Sequence, residues 1–126
     1  MPQVFMILSP EICEKHSKET IYTLMNIFGQ TLIKIVEEVF EIEGKHDVAF
    51  TAIPALHTIN EAPIQIEIKY TVGEDEYGMG KPFDPSKGQR EALATKIKEA
   101  MAKHMLEFRS VSVWVRPQRE SVFKGI

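Results

Sequence analysis

Cysteine is almost absent from this chain. Cys13 is the single example, so no intrachain disulfide can form and a reducing compartment is the expected setting. No apolar run approaches the roughly 20 residues that a membrane-spanning helix needs. The N-terminus also lacks the basic region, apolar run and small-residue cleavage site of a secretory signal. These absences together predict a soluble, cytoplasmic protein with no membrane partner. Positive charge is scarce and scattered: Lys and Arg total 15 against 18 Asp and Glu, a net charge of −3. Without a basic stripe, nucleic acid is not expected as a partner. The four histidines, His16, His46, His57 and His104, have no metal-ligand spacing, and Glu74-Asp75-Glu76 reads as a solvated acidic run. There is no pair of catalytic carboxylates, no nucleophile elbow and no cofactor fingerprint. Neither a metal nor a cofactor is expected.

An apolar content of 44% over 126 residues is enough to build a core, and the length suits a single domain spanning residues 1–126. A short apolar strand, Val4-Phe5-Met6-Ile7-Leu8, opens the chain. Ser9-Pro10-Glu11 then signals a helix start, and Ser17 offers a second one. Ile21, Leu24, Met25, Phe28, Leu32, Ile35, Val36 and Val39 follow at helical spacing and form one apolar stripe expected to be core. Gly44 is the expected helix stop, and residues 48–53 read as a strand ended by Pro54. The clearest strand is the next one. Ile64, Ile66, Ile68, Tyr70 and Val72 share one face, with Gln65, Glu67, Lys69 and Thr71 on the other. After a glycine-rich polar loop over 73–83, Asp84-Pro85 is expected to cap a second helix. Its inner face carries Leu93, Ile97, Ala100 and Met101. A last strand over 110–116 puts Val111, Val113 and Val115 on one face and Ser112, Trp114 and Arg116 on the other.

The order strand–helix–strand thus occurs twice, without residue identity between the halves. The expected fold is α+β: two βαβ units forming a four-stranded sheet, with right-handed crossovers placing both helices on one face. The other face is then open and carries Gln65, Glu67, Lys69, Ser112 and Trp114, which an oligomer can use as an interface or a cavity wall.

Chemistry enters at Met1-Pro2. Methionine before proline is normally trimmed, which leaves proline as a secondary amine at the head of a strand. An α-amine has a reference pKa of about 7.7–8.0, so modest environmental shifts make it a base at neutral pH. A proline inside a chain is an amide without such basicity.

Pro2-Gln3-Val4-Phe5 heading the first strand of a doubled βαβ chain, Gly44-Lys45 after the first helix, Thr71-Val72-Gly73 closing the third strand and residues 111–115 as the last strand together resemble the tautomerase superfamily. The likeness is greatest to the 5-carboxymethyl-2-hydroxymuconate isomerases, with macrophage migration inhibitory factor (MIF) next. The resemblance covers nearly the whole chain and implies a homotrimer that catalyses without a cofactor through its N-terminal proline. It implies Pro2 as general base. It also implies Lys45 as a lysine reaching the substrate, Val72 in a segment whose backbone amide contacts substrate, and Ser112 and Trp114 at inward-facing positions. Carboxylate-binding arginines in the family come from the first loop and the second strand. Here the loop offers Glu11, Cys13 and Lys15, the strand offers Ala49, and the first arginine in the chain is Arg90. Lys45, Lys69 and Lys81 can replace the charge of such an arginine but not its bidentate geometry. Arg116 is a further candidate to bind a carboxylate in a neighbouring subunit's site.

Two functions stay open at this point. One is a tautomerase or isomerase of small enol or keto acids. The other is a non-catalytic trimeric binding or interaction module on the same scaffold. Ferredoxin-like regulatory domains share much of the element order.

Overall fold

A computed structural model describes residues 2–42, 48–57, 63–72, 83–104 and 111–118. Its elements, in chain order, are β1 (Gln3–Leu8), α1 (Pro10–Lys15), α2 (Lys18–Val39), β2 (Ala49–Pro54), β3 (Ile64–Thr71), α3 (Lys87–His104) and β4 (Val111–Gln118). The four strands form one mixed sheet in the order β2-β1-β3-β4. β1 and β2 are parallel neighbours, as are β3 and β4. The two pairs meet through an antiparallel β1–β3 ladder in which Val4 faces Ile68, Met6 faces Ile66 and Leu8 faces Ile64. Each parallel pair is joined by a crossover that contains a long helix, and α2 and α3 lie on the same face of the sheet.

Alternation decides which strand residues meet those helices. Val4, Met6 and Leu8 of β1 and Ile64, Ile66, Ile68 and Tyr70 of β3 are all buried. From above, α2 inserts Phe28, Leu32 and Val36, and α3 inserts Leu93, Ile97 and Met101. The middle of each expected stripe is therefore core, while Ile21, Leu24, Met25, Ile35 and Val39 are partly buried and pack against it.

The two serine starts are both used. Ser9 Oγ accepts from the Ile12 amide at 3.4 Å, and Ser17 Oγ from the Thr20 amide at 3.2 Å, so the segment splits into α1 and α2. Strand ends shift by a residue or two from the sequence expectation, with β2 including Pro54 and β4 running on through Pro117 to Gln118, and two helix boundaries differ as well. α3 begins after Ser86 and not at Asp84-Pro85. The Ser86 amide donates to Gln89 Oε1 at 2.9 Å and Ser86 Oγ accepts from the Gln89 amide at 3.1 Å, a reciprocal cap that fixes the first turn. α2 ends at Val39, ahead of Gly44, which lies outside the described residues. Glu41 adopts φ 54°. The Ile42 amide reaches back to the Glu37 carbonyl at 2.9 Å and the Glu41 amide to that of Glu38 at 3.4 Å. This is the paired bonding that ends a helix in a left-handed residue, here without glycine.

One glycine is fixed by a close approach. A Cβ on Gly29, in the middle of α2, would lie 2.7 Å from Cδ1 of Phe50 on β2, so the missing side chain is what lets helix and strand come together. Alanine is worth up to about 1 kcal/mol in helix propensity over glycine, but overpacking typically costs about 1–3 kcal/mol. Gly29→Ala should therefore lower the urea-denaturation free energy by about 1 kcal/mol. In a Phe50→Leu background the same change should become neutral or stabilising.

Candidate functional site

Pro2 is buried at the head of β1, and its carbonyl accepts from the Ala49 amide of β2 at 3.2 Å. Gln3 pairs with Lys69 across the β1–β3 ladder. Continuing that register by one step sets Pro2 level with Tyr70. The same step along the parallel β1–β2 pairing, in which Gln3 faces Ala49, sets it level with buried Val48. Alternation puts Pro2, Val4 and Tyr70 on the helix-covered side of the sheet.

Four elements converge at this end. The α2 exit brings Phe40, the end of β3 brings Tyr70, the approach to α3 brings Phe83, and the first turn of α3 brings Gln89 and Arg90. The three aromatic rings pack edge to face, at centroid distances of 5.4 Å for Phe40–Tyr70 and 5.8 Å for Phe40–Phe83 and Tyr70–Phe83, a favoured aromatic geometry. Gln89 Nε2 donates to the Val39 carbonyl at 3.4 Å and ties α3 to the end of α2. Burial pushes the Tyr70 hydroxyl above its usual pKa of about 10; Arg90 pulls it down, and Asp84 adds to the rise. Tyr70 is thus a phenol that stays protonated at neutral pH and can donate a hydrogen bond.

Arg90 was not among the residues that the sequence singled out for a role at this end. It lies three and seven residues before Leu93 and Ile97, on the stripe of α3 that faces the sheet. Its Nε is buried and has no hydrogen-bond partner among the described residues. A sequence signal for it exists: a cation occupying the first position of an otherwise apolar helical stripe.

The remaining predicted residues fall into three groups. Val72, half-buried against the core just beyond β3, shares the Pro2 end. Lys45 and Lys81 lie outside the described residues. Lys69, Ser112, Trp114 and Arg116 all belong to the open face of the sheet, where Ser112 is level with Gln65, Trp114 with Glu67 and Arg116 with Lys69. Glu67 Oε1 lies 3.7 Å from Lys69 Nζ and 3.9 Å from Arg116 Nη1. The Arg116 guanidinium stands 4.7 Å over the Trp114 ring, and Lys69 Nζ is 5.6 Å from the centre of the Phe5 ring. The structure therefore gathers Lys69, Trp114 and Arg116 around one carboxylate. Lys69 and Arg116 share the end of the sheet with Pro2 but occupy its opposite face.

An apolar groove of about 880 Å³ lies elsewhere, between α2 and the outer strand β2, lined among others by Ile21, Met25, Ile33 and Phe50. It contains none of the predicted site residues. Among the described residues, no group of three His, Cys, Asp or Glu could hold a metal ion, and no helix is long and apolar enough to cross a membrane.

No family model matches the chain, and no curated protein matches it in sequence. Solved structures do match. A macrophage migration inhibitory factor-like protein from Entamoeba histolytica is 14% identical with a TM-score of 0.57, over 91% of this chain and 87% of that one. FG41 malonate semialdehyde decarboxylase, inhibited by 3-bromopropiolate, is 12% identical with a TM-score of 0.55, over 93% and 83%. A native fused 4-OT is 15% identical with a TM-score of 0.54, over 98% and 91%. The chain has the tautomerase/MIF fold, and at these identities the likeness is one of fold.

The shifted phenol gives a test of the site's burial. An unfolded chain ionises Tyr70 near a pH of about 10, whereas the folded chain holds the proton to higher pH. Below about 10 both states are neutral at this group. Above it the unfolded state has lost a proton that the fold retains, so stability falls as pH rises. Denaturation midpoints measured between pH of about 9 and about 11 should fall less steeply in Tyr70→Phe than in the wild type.

Proposed function

We propose that this protein is a cofactor-independent tautomerase or isomerase of small enol or keto acids, with Pro2, freed of Met1, as its general base. The observation that carries the reading is the burial of Pro2 at the head of β1, level with Tyr70, in a fold shared with a MIF-like protein, a decarboxylase and 4-OT.

Burial disfavours the charged form of an amine, which leaves the proline nitrogen with a lone pair at neutral pH. That nitrogen takes a proton from the carbon beside a carbonyl, or from an enol oxygen, and returns it at the other end of the conjugated system. The protonated Tyr70 hydroxyl supplies a donor for the oxygen on which negative charge develops. Val72, which follows β3, offers its backbone amide near the same end, and Lys45 and Lys81 remain candidates for substrate contact. Ser112, Trp114 and Arg116 join the site from a neighbouring subunit in this reading.

The assembly we propose is a homotrimer that covers the open sheet face, working in the cytoplasm as a single domain. Trp114 is 50% exposed there and Ile53 39%, with Phe5 and Ile7 half-buried between them, a large apolar content for a face left in water. Sedimentation should give a trimer at micromolar concentration, and Trp114→Glu should shift it towards monomer. A wild-type chain that remains monomeric is incompatible with the proposed assembly.

One observation favours the alternative, a non-catalytic trimeric binding module: Lys69 and Arg116 both lie within ion-pair reach of Glu67, so a substrate carboxylate on the open face would compete with a carboxylate already there. Catalysis decides between the two. After intact mass confirms loss of Met1, wild type and Pro2→Ala are compared over a panel of enol and keto acids. Removal of a general base should cost about 10²–10⁴-fold in rate, softened to the extent that the new alanine amine substitutes. Equal rates, or no rate above buffer, would assign the chain to the binding module.

A further inference from the structure

We propose that the groove between α2 and β2 binds a single-chain amphiphile, an apolar chain ending in an anionic group such as a carboxylate. The chain lies along the groove and its head meets Lys18. The proposal is independent of the chemistry at Pro2.

Helix geometry explains why a groove is there. Residues four apart stack into rows along a helix surface. The row Phe28, Leu32, Val36 of α2 enters the core. Beside it, Ile21, Met25, Gly29 and Ile33 form a second apolar row that lines the groove, and its three side chains are only partly buried. A third row, Lys18, Tyr22, Asn26 and Gln30, makes a polar rim, with Tyr22 79% exposed. The opposite wall is β2, whose alternation turns Phe50, Ala52 and Pro54 towards the helix. The walls touch where Gly29 meets Phe50. From Ile33 to Lys18 the helix runs about 22 Å at its rise of about 1.5 Å per residue, a length that suits an extended chain. The volume of about 880 Å³ falls within the roughly 300–1,000 Å³ of small-molecule sites, which are mostly apolar with a few polar groups that fix orientation. Charge supplies the direction. Lys18 is the only charged side chain among the described residues that line the groove. It is exposed and forms no ion pair among the described residues. Because α2 runs back against the strands, Lys18 stands at the Leu8 and Pro54 end, at the mouth. An apolar trough with one cation at its end complements an apolar chain with one anion at its end. The proposed trimer uses the opposite face of the sheet and leaves this one to solvent.

The test is calorimetry on the full chain with dodecanoate, kept below the concentration at which it forms micelles. Dodecyltrimethylammonium, with the same chain and the opposite head charge, is the control. Wild type should bind dodecanoate several-fold more tightly than the cation, as one partly exposed ion pair allows. Decanoate, two methylenes shorter, should bind roughly 10-fold more weakly than dodecanoate. Lys18→Glu, a change at an exposed position, should reverse the preference for the anion. Ala52→Phe should fill the trough and weaken both ligands. A further readout needs only folded wild type: the methionine methyl resonance that is missing in Met25→Leu should move when dodecanoate is added. Equal wild-type affinity for the two head groups, an unchanged preference in Lys18→Glu or a stationary Met25 methyl resonance overturns the proposal. So does binding confined to phosphatidylglycerol vesicles, which would make the groove a membrane contact. A smaller sedimenting species in Ala52→Phe would make it a contact between copies of the chain and overturn the proposal equally.

Discussion

The antiparallel pairing of β1 with β3 is the constraint on which the rest of the molecule depends. It joins the strand pairs of the two βαβ units into a single sheet. Facing residues across it, Val4 with Ile68 and Met6 with Ile66, are buried to completion. The seam also fixes a direction. Because β1 and β3 run oppositely, the start of the first lies beside the end of the third. Each crossover then delivers its helix to a determined place: α2 finishes, and α3 begins, above that same end. The meeting of Pro2, Phe40, Tyr70, Phe83 and Arg90 is a consequence of topology before it is one of side-chain chemistry.

The two faces of the sheet divide the polar residues by function of environment. On the helix side, Arg90 Nε has no hydrogen-bond partner among the described residues. On the open side charge is shared, with Glu67 between Lys69 and Arg116 and each cation set over an aromatic ring. Partly exposed pairs of this kind contribute little to stability. Their effect is to hold Trp114 and Phe5 in a defined arrangement on a surface that has no helix to pack against.

Much of this could be read in the sequence, for reasons that differ by element. The strict alternation from Ile64 to Tyr70 allows only a strand with one buried face, and the stripe through Phe28, Leu32 and Val36 allows only a helix laid on it. Ser9 and Ser17 were legible as caps because a serine hydroxyl before a helix has few better uses. The helix ends were less legible. Gly44 is the residue expected at a left-handed stop, but Glu41 takes that conformation, held by two backbone bonds that no residue type announces. Ser86 displaced Asp84-Pro85 as the start of α3 because Gln89 stands three residues beyond it to close the reciprocal cap. At the site, Pro2 was visible from chemistry alone. Arg90 was passed over because a charged side chain near a helix start is ordinarily a surface residue, although it stands three residues before Leu93 on a stripe already read as inward-facing.

Both outer strands contain a proline, Pro54 at the end of β2 and Pro117 within β4. Proline is tolerated in a sheet chiefly at such edges. Pro54 is level with Leu8 and Pro117 with Tyr70, so the two interruptions sit at opposite ends of the sheet. A chain seeking to extend the sheet indefinitely would run out of donors at a different height on each border. Each border therefore lacks an amide at a different height, which makes the sheet a poor template for growth into a fibre.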